Sequence, residues 1–274
     1  MSAPIALPLQ QHPIFAAALA RLGRKVERLS LTGAAPVQIV RRYGLCLASR
    51  GPVWTACHDH KARAETLRQS GLHIINAEHP CPSLRAAGYR QIHTGASMAE
   101  LSLLGSPADR LARAHGKWRN SYTKAVQSGL TIKTAQFDAR NHDWLLRADR
   151  EQQHRKGFSA LPHAILHAIA AVRPQEVVIV FAANGAAPVA GMLFVRHPPV
   201  ATYHVGWTSV PGRQAAAHQL LLVHAANMFA KQRLMRLDLG QIDTENAPGL
   251  ARFKIGSGAV VRRLGGTWLK IPGL

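Results

Sequence analysis

The clearest hydrophobic pattern is a set of three apolar runs in the second half of the chain. The first two runs, residues 176–183 and 188–196, flank Asn184-Gly185, a dipeptide that tight β-hairpin turns favour. Pro198-Pro199 separates the second run from residues 200–207. Three such runs in succession predict an antiparallel meander.

The segments on either side of the meander alternate between helical and extended patterns. They predict helices over residues 59–70, 141–155 and 214–231, and strands over 37–40, 43–48, 53–55, 72–76, 130–137, 234–239, 259–263 and 267–271. We expect the last two strands to close the chain as a pair.

A helix start is marked at Ser106, because a serine N-cap is followed by a proline at the first helical position and by Asp109 in the first turn. Gly129 marks the end of this helix. Spacings of three and four predict one buried stripe, formed by Leu111, His115, Trp118, Tyr122 and Val126. A second face carries Arg113, Lys117, Asn120 and Lys124. This basic face is either solvated or binds a polyanion.

An excess of basic residues points to the kind of partner. The 274 residues include 34 Lys and Arg against 14 Asp and Glu, so the formal net charge is +20. This charge favours a polyanion such as RNA, a nucleotide-bearing substrate or an anionic membrane surface. A solvated surface on an arginine-rich protein would give the same composition.

The cysteines and the N-terminus argue against several classes of protein. Cys46, Cys57 and Cys81 have neither zinc-ligand spacing nor the even number of a disulfide framework. The first eleven residues lack the basic region and continuous apolar run of a signal peptide. No segment approaches the ~20 apolar residues of a membrane span. We expect a cytoplasmic protein without a metal site or a membrane span.

Two motifs carry most of the information about function. The first is the strand at 234–239, which is followed at 246–258 by Asn-Ala-Pro-Gly-Leu-Ala-Arg-Phe-Lys-Ile-Gly-Ser-Gly. The second is Ala-Glu-Leu-Ser-Leu at 99–103, which is followed at 117–125 by Lys-Trp-Arg-Asn-Ser-Tyr-Thr-Lys-Ala. In this order the motifs resemble the Fem-type (FemAB-like) aminoacyl- and peptidyltransferases of the GNAT acyltransferase superfamily. The resemblance covers roughly the last two-thirds of the chain.

The resemblance implies an α/β (α+β) fold with a GNAT-like mixed, mainly antiparallel sheet flanked by helices. It also suggests two GNAT-related halves, because residues 37–76 show a shortened β-β-α-β version of the same order. We therefore expect a shortened N-terminal subdomain over residues 1–95 and an acyltransferase domain over residues 96–274. In this fold the strands at 200–207 and 234–239 run parallel and splay apart.

The resemblance also implies a set of binding residues. At the splay, Gly206 and Trp207 would present backbone N–H groups to the donor carbonyl. The loop that follows would carry phosphates towards a helix N-terminus. The further residues expected to bind donor or substrate are Arg213, Gln214, Arg252, Phe253, Arg113, Lys117 and Lys124.

The resemblance makes Lys254 the first choice for a catalytic residue, because it implies that the Phe-Lys pair lies at the site, where an ammonium can neutralise a phosphate or an oxyanion. The alternative is a surface lysine on a short helix. Asp238 could accept a proton from the attacking amine, or it could be a structural carboxylate that orients Lys254 or caps the next loop. His204, His218 and His224 lie near these elements, but a lone histidine is more often packed or solvated than a base.

The sequence favours an N-acyltransferase in which an amine attacks an activated donor directly in a ternary complex. The loop at 208–214 lacks the glycines with which CoA-binding relatives approach a pyrophosphate, so aminoacyl-tRNA is favoured over acyl-CoA as co-substrate. We expect no tightly bound cofactor. The acceptor is left open and includes a cell-wall precursor or a peptide. The alternative is a catalytically inactive, basic RNA- or nucleotide-binding module on the same fold.

Overall fold

Two β-sheets and the helices around them make up the computed structural model, which describes residues 5–55, 59–156 and 161–270. Two residues named in the sequence analysis lie outside the described residues. They are Cys57, one of the three cysteines, and Ile271, the last residue of the predicted closing strand. The chain divides into two compact units, Met1–Ser97 with Arg262–Leu274, and Met98–Val261.

Ten helices and thirteen strands are present in the described ranges. The helices are α1 (Pro13–Arg21), α2 (His60–Gln69), α3 (Ser83–Ala86), α4 (Pro107–Ala112), α5 (Gly116–Val126), α6 (Ala139–Lys156), α7 (His163–Val172), α8 (Val210–Gln214), α9 (Ala217–Lys231) and α10 (Pro248–Gly256). The strands are β1 (Val26–Leu29), β2 (Val37–Arg42), β3 (Leu45–Ser49), β4 (Ile74–Ala77), β5 (Tyr89–His93), β6 (Ser97–Ser102), β7 (Thr131–Gln136), β8 (Val177–Asn184), β9 (Ala187–His197), β10 (Val200–Thr208), β11 (Arg236–Ile242), β12 (Val260–Arg263) and β13 (Gly266–Lys270).

The first unit contains a six-stranded sheet in the order β1-β2-β3-β4-β13-β5. Only β3 and β4 run parallel among the pairs that can be read along it. Its core includes the apolar faces of β2, β3 and β4 and the ring of Trp268 from β13. The sequence predicted the β-β-α-β order, and the structure has β2, β3, α2 and β4 in that order.

The second unit is built on a seven-stranded sheet in the order β12-β6-β11-β10-β9-β8-β7. Strands β8, β9 and β10 form the predicted antiparallel meander, with Asn184 and Ala187 paired across the first turn. β10 and β11 run parallel. The predicted mixed, mainly antiparallel sheet flanked by helices is confirmed.

The predicted pairing of the last two strands is wrong. β12 lies beside β6, whereas β13 lies between β4 and β5 in the other sheet. Trp268 is buried in the first unit's core, and Arg262 donates hydrogen bonds to the buried Glu78, so both anchor the end of the chain there. The last strand therefore belongs to the first unit and not to Met98–Val261.

The single helix predicted after Ser106 is two helices. Ser106 does begin α4, with a capping box to Asp109. The chain then leaves the helix before α5, because the His115 amide donates to the Gly256 carbonyl instead of continuing the helical ladder. His115 and Val126 are exposed, so the buried stripe is shorter than predicted. Helix α7, an apolar segment after Pro162, was not predicted at all.

Candidate functional site

The site lies where β10 and β11 stop pairing. Their parallel register joins Val200 to Arg236 and ends with Thr202 opposite Asp238. β10 continues to Thr208 with β9 on its other side, through an irregularity between Tyr203 and Val205. Beyond Thr202 the edge of β10 that faced β11 has no ladder partner among the described residues. Backbone N–H groups on such an edge can bind a ligand oxygen.

Asp238 occupies the last position of β11 that pairs with β10 and is 2% exposed. Its Oδ1 accepts a hydrogen bond of 2.8 Å from the amide of Gly240. Gly240 has a φ of +80°, a conformation that side-chain-bearing residues rarely adopt. The carboxylate therefore holds the backbone of β11 at a left-handed position, two residues before the strand ends at Ile242.

Lys254 lies on α10 and is 5% exposed. Its Nζ donates to the Gln241 carbonyl oxygen at 2.8 Å, and a Cβ placed on Gly240 would lie 3.6 Å from Nζ. Burial lowers the pKa of Lys254 to about 8, against the opposing effect of the Asp238 carboxylate. The ammonium is therefore held against the backbone near the C-terminal end of β11, and Lys254 is not a surface lysine.

His204 lies at the irregularity in β10 and faces the same carboxylate. Burial lowers the pKa of His204 to about 4, and the charge of Asp238 acts in the opposite direction. Its Nε2 is buried and makes no hydrogen bond with the described residues. The imidazole is therefore neutral at pH 7. The sequence analysis named His204 together with His218 and His224 but could not distinguish it from them, because a bulge in a strand leaves no mark in the hydrophobic pattern.

Phe253 and Trp207 are positioned by an aromatic cluster. The Phe253 ring lies 6.1 Å from that of Trp118 and 5.8 Å from that of His218. Trp118 Nε1 donates to the Phe253 carbonyl at 3.0 Å, and His218 Nε2 lies 3.0 Å from the Trp207 carbonyl. Burial lowers the pKa of His218 to about 4, so its role here is a neutral donor to that carbonyl. These contacts fix α10 and the end of β10 together.

Gly206 is required by its neighbour on β10. A Cβ at Gly206 would overlap the hydroxyl oxygen of Tyr203. The Tyr203 side chain therefore covers Gly206, and burial, followed by the charge of Asp149, raises the pKa of its hydroxyl. Tyr203 was not among the predicted site residues.

The loop expected to carry phosphates is folded on itself. It contains the short helix α8, and the Ser209 side chain accepts from the Gly212 amide. The amides of Ser209, Arg213, Ala215 and Ala216 each donate to a backbone carbonyl. Five backbone amides between Ser209 and Ala216 therefore already have partners within the protein. The side chains of Arg213 and Gln214 are exposed, and Arg213 also donates to the Thr208 carbonyl at 2.8 Å.

The other predicted cations are all exposed. Arg113 donates to the carbonyls of Ser102 and Leu104, which connects α4 and α5 to the end of β6. No hydrogen bond or ion pair between residues that the structure describes joins Lys117, Lys124 or Arg252 to Lys254. The structure thus brings Asp238 and Lys254 together with His204, and it leaves the basic face as a separate surface.

Cavities and metal ligands give no competing site. An open cavity of ≈570 Å³ is lined by α5, β7 and α9, and another of ≈620 Å³ by α2 and Ala86; neither includes Lys254, Asp238 or His204. In the described ranges, no group of three or more His, Cys, Asp or Glu residues is arranged to hold a metal ion. None of the helices described has the length and apolar character needed to cross a bilayer.

The comparison with known proteins identifies the fold. No protein-family model matches the chain, and no curated protein matches it. Among solved structures, FemX superimposes with a TM-score of 0.74 at 12% identity, over 96% of this chain and 92% of FemX. The chain has a Fem-like GNAT fold.

Two further structures share this fold. A C-terminal domain attributed to a lysylphosphatidylglycerol synthetase of Agrobacterium fabrum gives a TM-score of 0.58 at 14% identity, over 96% of this chain and 89% of that one. A tandem GNAT protein from the clavulanic acid biosynthesis pathway gives 0.52 at 13% identity, over 100% and 92%. The Fem-like GNAT fold therefore spans both units of the chain.

Proposed function

We propose that this protein is an N-acyltransferase that moves an aminoacyl or acyl group from an activated donor to an amine. The proposal rests on the buried Lys254 ammonium, which is bonded to the Gln241 carbonyl of β11 beyond the point where β11 stops pairing with β10. The Fem-like GNAT fold supports this reading, because the same pair of strands splays at that point in such acyltransferases.

The transfer is a direct attack in a ternary complex. The amine nitrogen forms a bond to the donor carbonyl carbon, and the carbonyl oxygen takes up negative charge. The bond from that carbon to the leaving oxygen or sulfur then breaks. The leaving atom takes up one proton, and the amine loses one. Free N–H groups on β10 and the ammonium of Lys254 stabilise the oxyanion. With a pKa of about 8, Lys254 is protonated by roughly ten to one at pH 7.

Two groups could handle the proton of the attacking amine. Asp238 is the one predicted from sequence, but its hydrogen bond from Gly240 and its attraction for the Lys254 charge favour the positioning role. His204 is neutral and has a buried Nε2 without a partner among the described residues, so it could accept the proton directly or through water. A general base at Asp238 stays a prediction.

Aminoacyl-tRNA is the donor we favour. In the loop after β10, internal hydrogen bonds occupy the amides of Ser209, Gly212, Arg213, Ala215 and Ala216, so these amides cannot also bind a CoA pyrophosphate. A net charge of +20 suits a polyanionic donor. A cytoplasmic location, where charged tRNA is found, is part of this proposal. The acceptor is an amine, such as that of a cell-wall precursor or a peptide.

A second candidate, a non-catalytic nucleic-acid-binding module, is favoured by one observation. Lys254 is 5% exposed, and neither of the two large open cavities includes it. A module that only binds RNA needs its basic surface and not an accessible ammonium. The two candidates therefore differ in whether any acceptor gains mass.

The test is to incubate the protein with amine acceptors and either a mixture of charged tRNAs or a panel of acyl-CoA thioesters, and to measure intact acceptor mass. We expect aminoacyl transfer from tRNA and, by calorimetry, tRNA binding that weakens steeply as salt rises. Micromolar binding of acetyl-CoA with no tRNA binding at low salt would contradict the donor preference. Binding of tRNA without any mass change would establish the non-catalytic module.

A further inference from the structure

The turn that joins β2 to β3 in the first unit has an unusual residue. Arg42 and Leu45 are paired, so the turn consists of Tyr43 and Gly44 alone. Their φ angles are +50° and +75°, as a type I′ turn requires. Asparagine is the residue favoured before glycine in such a turn, whereas a bulky side chain at positive φ is an outlier. Turn formation therefore does not explain a tyrosine here.

Tyr43 presents its ring to solvent on an arginine support. The residue is 86% exposed. The guanidinium carbon of Arg42 lies 4.8 Å from the centre of the ring, and Arg42 Nη2 donates to the Tyr43 hydroxyl at 3.2 Å. One face of the ring is thus supported by a cation, and the exposed remainder is a flat surface on which another ring can stack.

Further cations lie on the strand ends next to this turn. Arg24 and Lys25 lead into β1, and the Arg41 amide donates to the Lys25 carbonyl, so the start of β1 lies beside the end of β2. Arg24, Lys25, Arg41 and Arg42 are exposed. The only acid in this group is Glu27, which contacts Arg41 at 2.9 Å and Lys25 at 3.4 Å. Exposed pairs of this kind are weak, so both cations can exchange Glu27 for a stronger anion.

We propose that this surface, Arg24, Lys25, Arg41, Arg42 and Tyr43, binds a single-stranded segment of nucleic acid. A base stacks on Tyr43, and the flanking phosphates pair with the cations. Single-strand binding sites combine these two elements, since stacking accepts any base and the cations follow the backbone. Leu45, which is 42% exposed after the turn, and Leu22, which is 40% exposed before Arg24, provide little apolar surface for insertion into a membrane.

The site does not rest on the proposed acyl transfer. Every residue in it belongs to the first unit, and none is assigned a role in the reaction. It can therefore be tested by binding alone, and acyl transfer can fail or succeed without changing the result.

The test uses Tyr43→Asn, because Asn-Gly is the preferred pair for a type I′ turn and the fold is expected to be kept. Binding of a fluorescent uridine oligonucleotide, as RNA and as DNA, is measured by anisotropy at several salt concentrations. We expect Tyr43→Asn to raise the Kd about 5-fold or more for the oligonucleotide that binds, with a melting temperature at or above that of the parent. Tyr43→Phe should bind like the parent.

Charge variants provide the matched comparison. Arg42→Gln should weaken binding and reduce the salt dependence by about 0.7 in the slope of log K against log salt for each lost phosphate contact. Arg85→Gln removes the same charge from an exposed position on α3 and should leave binding unchanged. Equal affinities for Tyr43→Asn, Arg42→Gln and Arg85→Gln would overturn the proposal. The proposal would also be overturned if the parent protein bound no oligonucleotide but bound phosphatidylglycerol vesicles, with that binding lost in Tyr43→Asn.

Discussion

At the scale of single residues, Lys254 is buried where a positive charge is destabilised, yet it lies where an ammonium can act on a substrate. A pKa lowered from 10.5 to about 8 corresponds to roughly 3 kcal/mol of destabilised positive charge in the folded state. Methionine could fill the same space without that penalty. An ammonium that is buried at this cost, and aimed at the end of β11, is more readily explained by chemistry than by stability.

This pKa predicts how the rate depends on pH. The ammonium form of Lys254 is present below about pH 8 and is lost above it, so its contribution to transfer should fall as pH rises through 8. The ratio of the parent rate to the Lys254→Met rate removes the titration of the acceptor amine, which affects both proteins equally. We expect this ratio of kcat/KM values to decline above pH 8. A ratio that stays constant from pH 6 to 10 would contradict an ammonium role.

Stability should respond to pH in the opposite direction. The unfolded chain holds the lysine proton up to about pH 10.5, whereas the folded protein releases it near 8. Between these values the unfolded state binds more protons, so the free energy of unfolding of the parent should rise relative to that of Lys254→Met. Above pH 8 the kcat/KM ratio should therefore fall while the free energy of unfolding rises. A fall in rate that accompanies a rise in stability points to a catalytic ammonium and not to a merely structural one.

The sequence predicted part of this site. The motif placed Lys254 on a short helical turn after a strand that contains Asp238, and the structure has α10 and β11 there. The burial of Lys254 and the approach of His204 depend on where β10 stops pairing and on an irregularity within it. Neither feature leaves a local signal, because the residues concerned are about 30 to 50 positions apart along the chain.

At the scale of elements, Trp118 joins α5 to α10. Its indole is 7% exposed, donates to the Phe253 carbonyl and packs against Gly256, where a Cβ would lie 2.8 Å from the indole Cδ1. α10 carries Lys254, so this contact also sets the position of the ammonium. Helical spacing predicted that Trp118 is buried, and this prediction is confirmed.

Trp118→Ala should therefore lower the free energy of unfolding by about 3–5 kcal/mol, as for other large-to-small changes in a core. Denaturant unfolding measures this loss. Val126→Ala is the control, since Val126 is 55% exposed on the same helix and should change stability by no more than about 0.5 kcal/mol. If Trp118→Ala unfolds like the parent but binds nucleic acid less well, the indole is a ligand surface and the packing account is wrong.

The break between α4 and α5 could not be predicted from hydrophobic spacing. Leu111, Trp118 and Tyr122 all pack against one core, so the pattern reads as a continuous stripe. The break depends on a hydrogen bond from the His115 amide to Gly256, which is far away in the sequence. Helix starts with a local cap, such as Ser106, are predictable, whereas tertiary contacts that interrupt a helix are not.

At the scale of the whole molecule, the local sequence pattern predicted which strands are neighbours in the second unit's sheet. It did not predict which sheet the last strand, β13, joins. The meander has short turns and successive strands, so its neighbours follow from sequence. β13 instead pairs with β4 and β5, nearly two hundred residues earlier. Gly265-Gly266 allows the close backbone approach that this pairing needs, but two glycines do not indicate which strand they approach.

The turnover of Lys254→Met, measured once an acceptor gains mass from a donor, tests directly whether the buried ammonium takes part in the transfer. Loss of one preorganised oxyanion partner lowers kcat by about 10²–10³. We expect that loss in Lys254→Met, with the fold retained, and a smaller effect in Arg252→Met, whose parent side chain is exposed on the same helix. An unchanged kcat and KM in Lys254→Met would contradict the account, because the buried ammonium would then have no part in the reaction.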